Sequence, residues 1–424
     1  MSAAPFTALF VAALATMIAV QSWLGSRQIA SVERHRGRVP DAFAAQIPLA
    51  AHQKAADYTV ARQRFARVDR GVDAVVTLAL TLGGGIAWVA ALTSDIAPPW
   101  NDVALTVVIA AVGGAVSLPL SWWRTFVLEA RFGFNRTTLK LWVADIAKGL
   151  LVAAVLGLPM ILAVLWLIAH GGTWWWLWVW AVWVGFQVLV LLLYPTVIAP
   201  LFNKFSPLPA GDARARIEAL LARCGFSARG LFVMDGSKRS SHGNAYFVGF
   251  GRARRIVFFD TLLATLAPQE VESVLAHELG HYKLKHVAKS LVLSAVASLA
   301  LLALLAWIGG QPWFYAGLGV AERDAAARPG VMLCLFVLAL PPFAFLASPL
   351  VAMYSRRHEF EADAFAARNA SANALADALV KMYEDNASTL TPDPLHSAFY
   401  DSHPPAAVRI AHLASLGREA PASA

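Results

Sequence analysis

The chain has 424 residues, of which 58% are hydrophobic and 15% charged, and its mean hydropathy is positive. That balance excludes an ordinary soluble domain and indicates a membrane protein, with apolar runs long enough to cross the roughly 30 Å core of a bilayer. The formal net charge of +8 does not imply nucleic acid: the arginines cluster beside apolar runs, as in Arg34, Arg36 and Arg38, then Arg62, Arg64, Arg67 and Arg70.

In chain order, spans are predicted near Phe6–Leu24, Val72–Leu92, Val103–Trp123, Gly149–Ala169, Trp175–Leu193, Ala288–Ile308 and Val331–Met353, about seven in all. The first is read as an uncleaved span, since no charge precedes it and no small-residue cleavage site follows it. Gly25–Gly71 and Arg124–Lys148 are rich in Arg and Lys, whereas Thr93–Asp102 and His170–Thr173 have neither. The basic loops are therefore cytoplasmic, and counting crossings puts the polar block from about Phe202 to Val287 and the tail after Met353 on the same side. The outer loop Gly309–Gly330 is mixed, with Arg323 and Arg328 beside Glu322 and Asp324. Cys224 and Cys334 lie in unlike settings and suggest neither a disulfide nor a cysteine metal site.

Within the polar block, Ile217–Cys224 reads as a helix end. Short β-like runs follow at Leu231–Met234, Ala245–Phe250 and Ile256–Phe259, separated by Gly and basic turns. Thr261–Ala267 and Gln269–Lys285 have helical character, the second with Pro268 at its entrance, acids in its first turn and lysines near its end. The fold class is a predominantly α, polytopic membrane protein with about seven transmembrane helices and a cytoplasmic region that contains a small β-sheet. Four segments are expected: 1–201, 202–287, 288–353 and 354–424.

The chemistry sits on the second of those helices. His277-Glu278-Leu279-Gly280-His281 is H-E-x-x-H, whose spacing puts both imidazoles on one helix face to share a zinc ion, with Glu278 beside it as general base. Catalytic zinc takes three protein ligands and leaves a fourth position to water. Gly280 leaves room beside the metal. The third ligand should come from a separate helix, and His358-Glu359-Phe360-Glu361-Ala362-Asp363 follows the last span on the required side. Glu359 and Asp363 share a face at i,i+4: one could bind zinc while the other orients a ligating imidazole. His286 falls outside the H-E-x-x-H spacing and reads as a residue that supports a ligand or is solvated, not as a ligand itself; His396, His242, His52 and His35 read as ordinary polar residues.

With these residues in hand, the chain resembles the integral-membrane CAAX prenyl endopeptidases, type I gluzincins with seven membrane helices. The residues that carry the resemblance are Arg131-Phe132-Gly133-Phe134-Asn135, Gly236 to Phe247 (GSKRSSHGNAYF), His277–His281, Glu359 to Asp363 and Ser402-His403-Pro404-Pro405. The resemblance implies Glu359 as third zinc ligand with Asp363 as its supporting partner, and His403 as a donor to the oxyanion. It also implies that the stretch from Asn244 and Ala245 is an edge strand binding the substrate backbone, and that Arg409 contacts substrate or braces the site. The implied activity is zinc-dependent cleavage of prenylated CAAX C-termini.

The usage of Ala, Arg and Leu suggests a bacterial inner membrane, where the substrate would be a membrane-bound or misfolded polypeptide; an endoplasmic reticulum would apply in a eukaryote. Two other readings compete. A heat-shock-type quality-control zinc protease would have fewer spans and a shorter chain. A non-catalytic metal-binding membrane protein would have no need of Glu278.

Overall fold

In a bilayer every backbone N–H must be satisfied within the protein, so long apolar runs become helices. The computed structural model describes residues 1–226, 230–248, 255–321 and 327–419. Six of its helical segments are long and apolar enough to span: Ala3–His35, Trp100–Glu129, Leu139–His170, Gly172–Phe202, His286–Gly309 and Pro329–Asn369. The helix pair Leu49–Leu80 and Gly85–Leu92, bent by 54°, makes a seventh. All the expected spans are present, and the chain is a multi-pass membrane protein.

The structure corrects three details. The run Val72–Leu92 is broken, because the chain turns through Gly84 in the left-handed region at φ 75°. A loop docks on that break so closely that a Cβ on Gly319 would collide with the Thr81 carbonyl. Much of the expected basic loop is helical: the first helix continues to His35 and the second starts at Leu49, so Arg62, Arg64, Arg67 and Arg70 lie along a helix. Their charge ended the apolar run without ending the backbone pattern. Finally, the expected boundary after Met353 falls inside the helix Ser348–Asn369.

Five of the six uninterrupted spans have only 6–17% of their apolar window buried, against 50% for Pro329–Asn369. Such helices meet their neighbours along narrow seams and form walls instead of a solid bundle. Leu150, Trp178, Val292 and Trp307 are exposed on them, as lipid contact allows. One end is closed by an apolar cluster joining Phe6, Phe10 and Leu14 to Ile86, Leu105, Phe314, Val331 and Leu335. Beside it, Arg328 donates through Nε to Asp102 at 2.9 Å and through Nη1 to the Ala90 carbonyl at 2.7 Å. This outer-loop arginine is thus neutralised, which removes its conflict with the charge rule. Glu322, Arg323 and Asp324 lie outside the described residues, as do residues 249–250 of the expected run Ala245–Phe250.

A four-stranded sheet stands beyond the membrane helices: β1 (Phe205–Pro207), β2 (Gly230–Met234), β3 (Ala245–Val248) and β4 (Arg255–Phe259), in the order β1-β2-β4-β3. β2 and β4 are parallel; β1 pairs with β2, and β3 with β4, antiparallel. Ala245 sits opposite Phe258 and Phe247 opposite Ile256, leaving β3 at the sheet edge among the described residues. Ile256 and Phe258 pack with Val271, Val274, Leu275 and Leu279 of the H-E-x-x-H helix and with Leu375, Ala378 and Leu413 from the C-terminal segment.

Candidate active site

The helix Pro268–Lys283 begins at a proline, whose missing N–H costs nothing in a first turn. Glu270 reaches back to accept from the Ala267 amide at 2.7 Å. Its apolar face enters the core just described. Against another face lies the helix Ser348–Asn369, and Gly280 marks the closest approach: a Cβ there would come within 3.0 Å of Ala362 Cα and 3.1 Å of Phe365 Cβ. The room that Gly280 provides is filled by the facing helix, not by the metal. That close approach carries Glu359 to the two histidines.

His277 Nε2 and His281 Nε2 are 3.1 Å apart. Glu359 Oε2 is 3.5 Å from the first and Glu359 Oε1 3.3 Å from the second. All three ligand groups fit within 4.8 Å of one another. Glu359 is buried and its Oε2 has no hydrogen-bond donor, while the two Nε2 atoms face each other, with Arg409 Nη2 3.2 Å from that of His277. Donors and charge so arranged suit a metal ion, which would accept both lone pairs and the orphaned oxygen. Burial and the Arg409 charge pull the His277 pKa down, yet hydrogen bonds to Asp363 and Glu359 outweigh them and raise it to about 9. The site thus favours a cation at this position, whether proton or metal.

Both imidazoles are held from behind. Asp363, fully buried, accepts from His277 Nδ1 at 2.8 Å. Arg409, also buried, grips the same carboxylate twice, through Nε at 2.8 Å and Nη2 at 2.7 Å, and its Nη1 lies 3.5 Å from Glu359. The structure therefore places Arg409 behind the ligands, not on the open wall where a substrate would lie. His281 is held differently: its Nδ1 is 2.9 Å from His286 Nδ1, and His286 Nε2 is 3.1 Å from Glu361. If Nε2 of His281 is given to a metal, its Nδ1 carries the proton and donates to His286, which must then donate from Nε2 to Glu361. His286 also stacks on His358, with centroids 4.0 Å apart.

Sequence spacing left His286 as either a support for a ligand or a solvated residue; its place beside His281 depends on Lys285. That residue, at φ 59°, turns the chain directly from one helix into the next and folds His286 back toward His281.

A cavity of about 510 Å³ opens in front of the three donors. His277, Glu278, His281 and His403 line it, with Phe247 from β3 on one side and Leu191, Val287 and Leu291 from membrane helices on the other. Desolvation pushes the Glu278 carboxyl above its ordinary pKa. His403 Nε2 stands 3.4 Å from Glu359 Oε2, with its side chain 63% exposed. The Ser402 hydroxyl lies 3.0 Å from its Nδ1; donating there, it leaves Nε2 as the N–H donor. Asn244 precedes β3, with its Oδ1 taken by the Ala245 amide at 2.8 Å. Ala245 is buried while Asn244 is exposed, so the free edge of β3 begins at this pair.

Membrane-spanning helices joined to a metal-ready H-E-x-x-H site define a membrane metallopeptidase. Comparison with known proteins agrees: residues 28–204 match the CAAX prenyl protease N-terminal model, five membrane helices, and residues 207–416 match peptidase family M48. The chain belongs to this family. It is 33% identical over 422 residues to the CAAX prenyl protease 1 homolog of Arabidopsis thaliana, covering 96% of this chain and 97% of that one. To the CAAX prenyl protease 1 of Saccharomyces cerevisiae it is 35% identical over 321 residues, 72% of this chain and 70% of that one. The crystal structure of S. mikatae Ste24p superposes with a TM-score of 0.89 at 29% identity, covering 97% of this chain and 100% of the other.

Proposed function

We propose that the chain is a zinc endopeptidase that cleaves CAAX-type C-termini at the cytoplasmic face of its membrane, with His277, His281 and Glu359 as metal ligands. One observation carries this reading: the three donors and Glu278 share a cavity with Leu191, Val287 and Leu291 of the membrane helices. A peptide bond can thus be presented at the metal while an attached lipid stays against apolar side chains. The donor separations of 3.1, 3.3 and 3.5 Å support zinc, since a tetrahedron with bonds near 2.05 Å has edges of about 3.3 Å.

When bound, the ion supplies Lewis-acid polarisation of the scissile carbonyl and a water of lowered pKa. Glu278 takes the proton of the attacking water and returns it to the departing amine. His403 donates from Nε2 toward the negative charge that develops on the carbonyl oxygen. Asn244 and Ala245 begin the edge along which the substrate backbone aligns. Asp363 fixes the tautomer of His277, and Arg409 acts as a positioning residue that neutralises Asp363. The segments 1–201 and 288–353 form the membrane part, and 202–287 with 354–424 the peptidase part.

The test is cleavage of a farnesylated CAAX peptide by purified protein, comparing wild type with Glu278→Gln at equal zinc content. Removal of the general base should lower turnover by about 10²–10⁴-fold. Equal turnover by the two proteins would overturn the mechanism. Cleavage of an unprenylated protein, but not of this peptide, would redirect the substrate.

A further inference from the structure

A second cavity, of about 540 Å³, lies between the long helix Leu49–Leu80 and the C-terminal segment. His403 lines both this cavity and the metal pocket, so the two adjoin through its imidazole. Two arginines one helical face apart, Arg62 and Arg70, enter the second cavity, and His396 and Gln63 share its wall. Asp401 is there too and is the one acid on that wall.

The donors in this cavity are not matched by acceptors. Arg70 packs against the first helix, where a Cβ on Gly25 would stand 3.5 Å from its Nη2. Its Nε and Nη2 are buried and make no hydrogen bond. His396 is 7% exposed, and its Nε2 lies 3.1 Å from the Gln63 amide nitrogen. Accepting from that amide, His396 must carry its proton on Nδ1, which is also buried and without a partner. Three unmatched nitrogens with four N–H bonds, just beneath the cavity wall, leave a guanidinium and an imidazole short of acceptors, which an anion in the cavity would supply once the Arg70 side chain turns toward it.

We propose that this cavity binds the C-terminal carboxylate of the substrate, with Arg70 as the principal contact, His396 as a second donor and Arg62 adding charge. The inference rests on the CAAX peptidase reading. A CAAX end places three residues after the cysteine, and three extended residues span about 10 Å. Because His403 lines both cavities, a scissile bond in the first would send the chain end toward the second. A guanidinium presents parallel donors that fit the two carboxylate oxygens. Arg70 would then select substrates by the distance from the cut to the chain end, giving an endopeptidase the preference of an enzyme that reads termini.

The test compares an aliphatic tripeptide ending in a free carboxylate with its C-terminal amide, each titrated into the zinc-loaded full chain by calorimetry. The wild type should bind the acid at least tenfold more tightly, and Arg70→Gln should bring the ratio of the two affinities close to one. Arg70→Lys, which keeps the charge, should restore part of the preference and controls for loss of fold. Equal binding of acid and amide by the wild type overturns the proposal, as does a preference that survives in Arg70→Gln. Neither arm requires turnover, so failure of the farnesylated peptide to be cleaved would count separately against the CAAX reading.

Discussion

The two imidazoles proposed as ligands are supported by unequal means. His277 leans directly on a carboxylate that Arg409 neutralises, whereas His281 reaches its carboxylate, Glu361, only through His286. The second arrangement has a weak point: a neutral imidazole can relay the hydrogen bond in one tautomer only. His286→Ala should leave His281 Nδ1 without its acceptor and weaken metal binding by about 10–100-fold. Competition with a chelator would measure this directly, and His286→Asn, which keeps a nearby acceptor oxygen, should recover part of the loss. Unchanged affinity in the alanine variant would show that His281 keeps its orientation without the relay.

At the level of elements, the site depends on how closely two helices cross. Gly280 lets the H-E-x-x-H helix touch the backbone of Ala362, and Glu359 is one turn from that contact. Gly280→Ala gains about 1 kcal/mol of helix propensity but overpacks a contact at 3.0 Å, at a cost of about 1–3 kcal/mol. The expected result is a lower melting temperature together with reduced metal content at fixed free zinc. A variant of full stability and full metal occupancy would mean that the crossing relaxes without moving Glu359.

What could be read from sequence follows the range of the interactions. His277 with His281, and Glu359 with Asp363, are four residues apart on helices, so local periodicity brings each pair to one face. The spans were legible because bilayer thickness demands a minimum apolar length. Strand β1 was missed: three residues ending in Pro207 carry no alternation. Whether His286 supports a ligand or is solvated stayed open because its place depends on a single left-handed residue, and Arg70 and His396 come to one cavity only through the folding of distant helices. The basic segments that looked like loops are helical because charge governs which side of the membrane a segment occupies, not its backbone conformation.

For the molecule as a whole, the two cysteines offer a test of topology without engineering. Cys224 is partly exposed in the peptidase part and Cys334 is buried in the helix Pro329–Ala344. A membrane-impermeant maleimide should label Cys224 in inverted vesicles and not in intact cells, and should leave Cys334 unmodified in both. Burial pushes the Cys224 thiol up; the thiolate is the reactive form, so labelling should keep accelerating as pH rises beyond the ordinary thiol range. Labelling of Cys224 in intact cells would invert the assigned orientation.

Both helices that meet at the metal continue into the bilayer. Through Leu284 and Lys285 the H-E-x-x-H helix passes into His286–Gly309, and Glu359 stands within Pro329–Asn369. Lipid thickness should therefore reach the site through these two short connections, because mismatch is relieved by helix tilt while metal ligands tolerate displacements of only about 0.2 Å. In vesicles of graded acyl-chain length, zinc retention should peak at one thickness and fall on either side, making the membrane itself a setting of the enzyme.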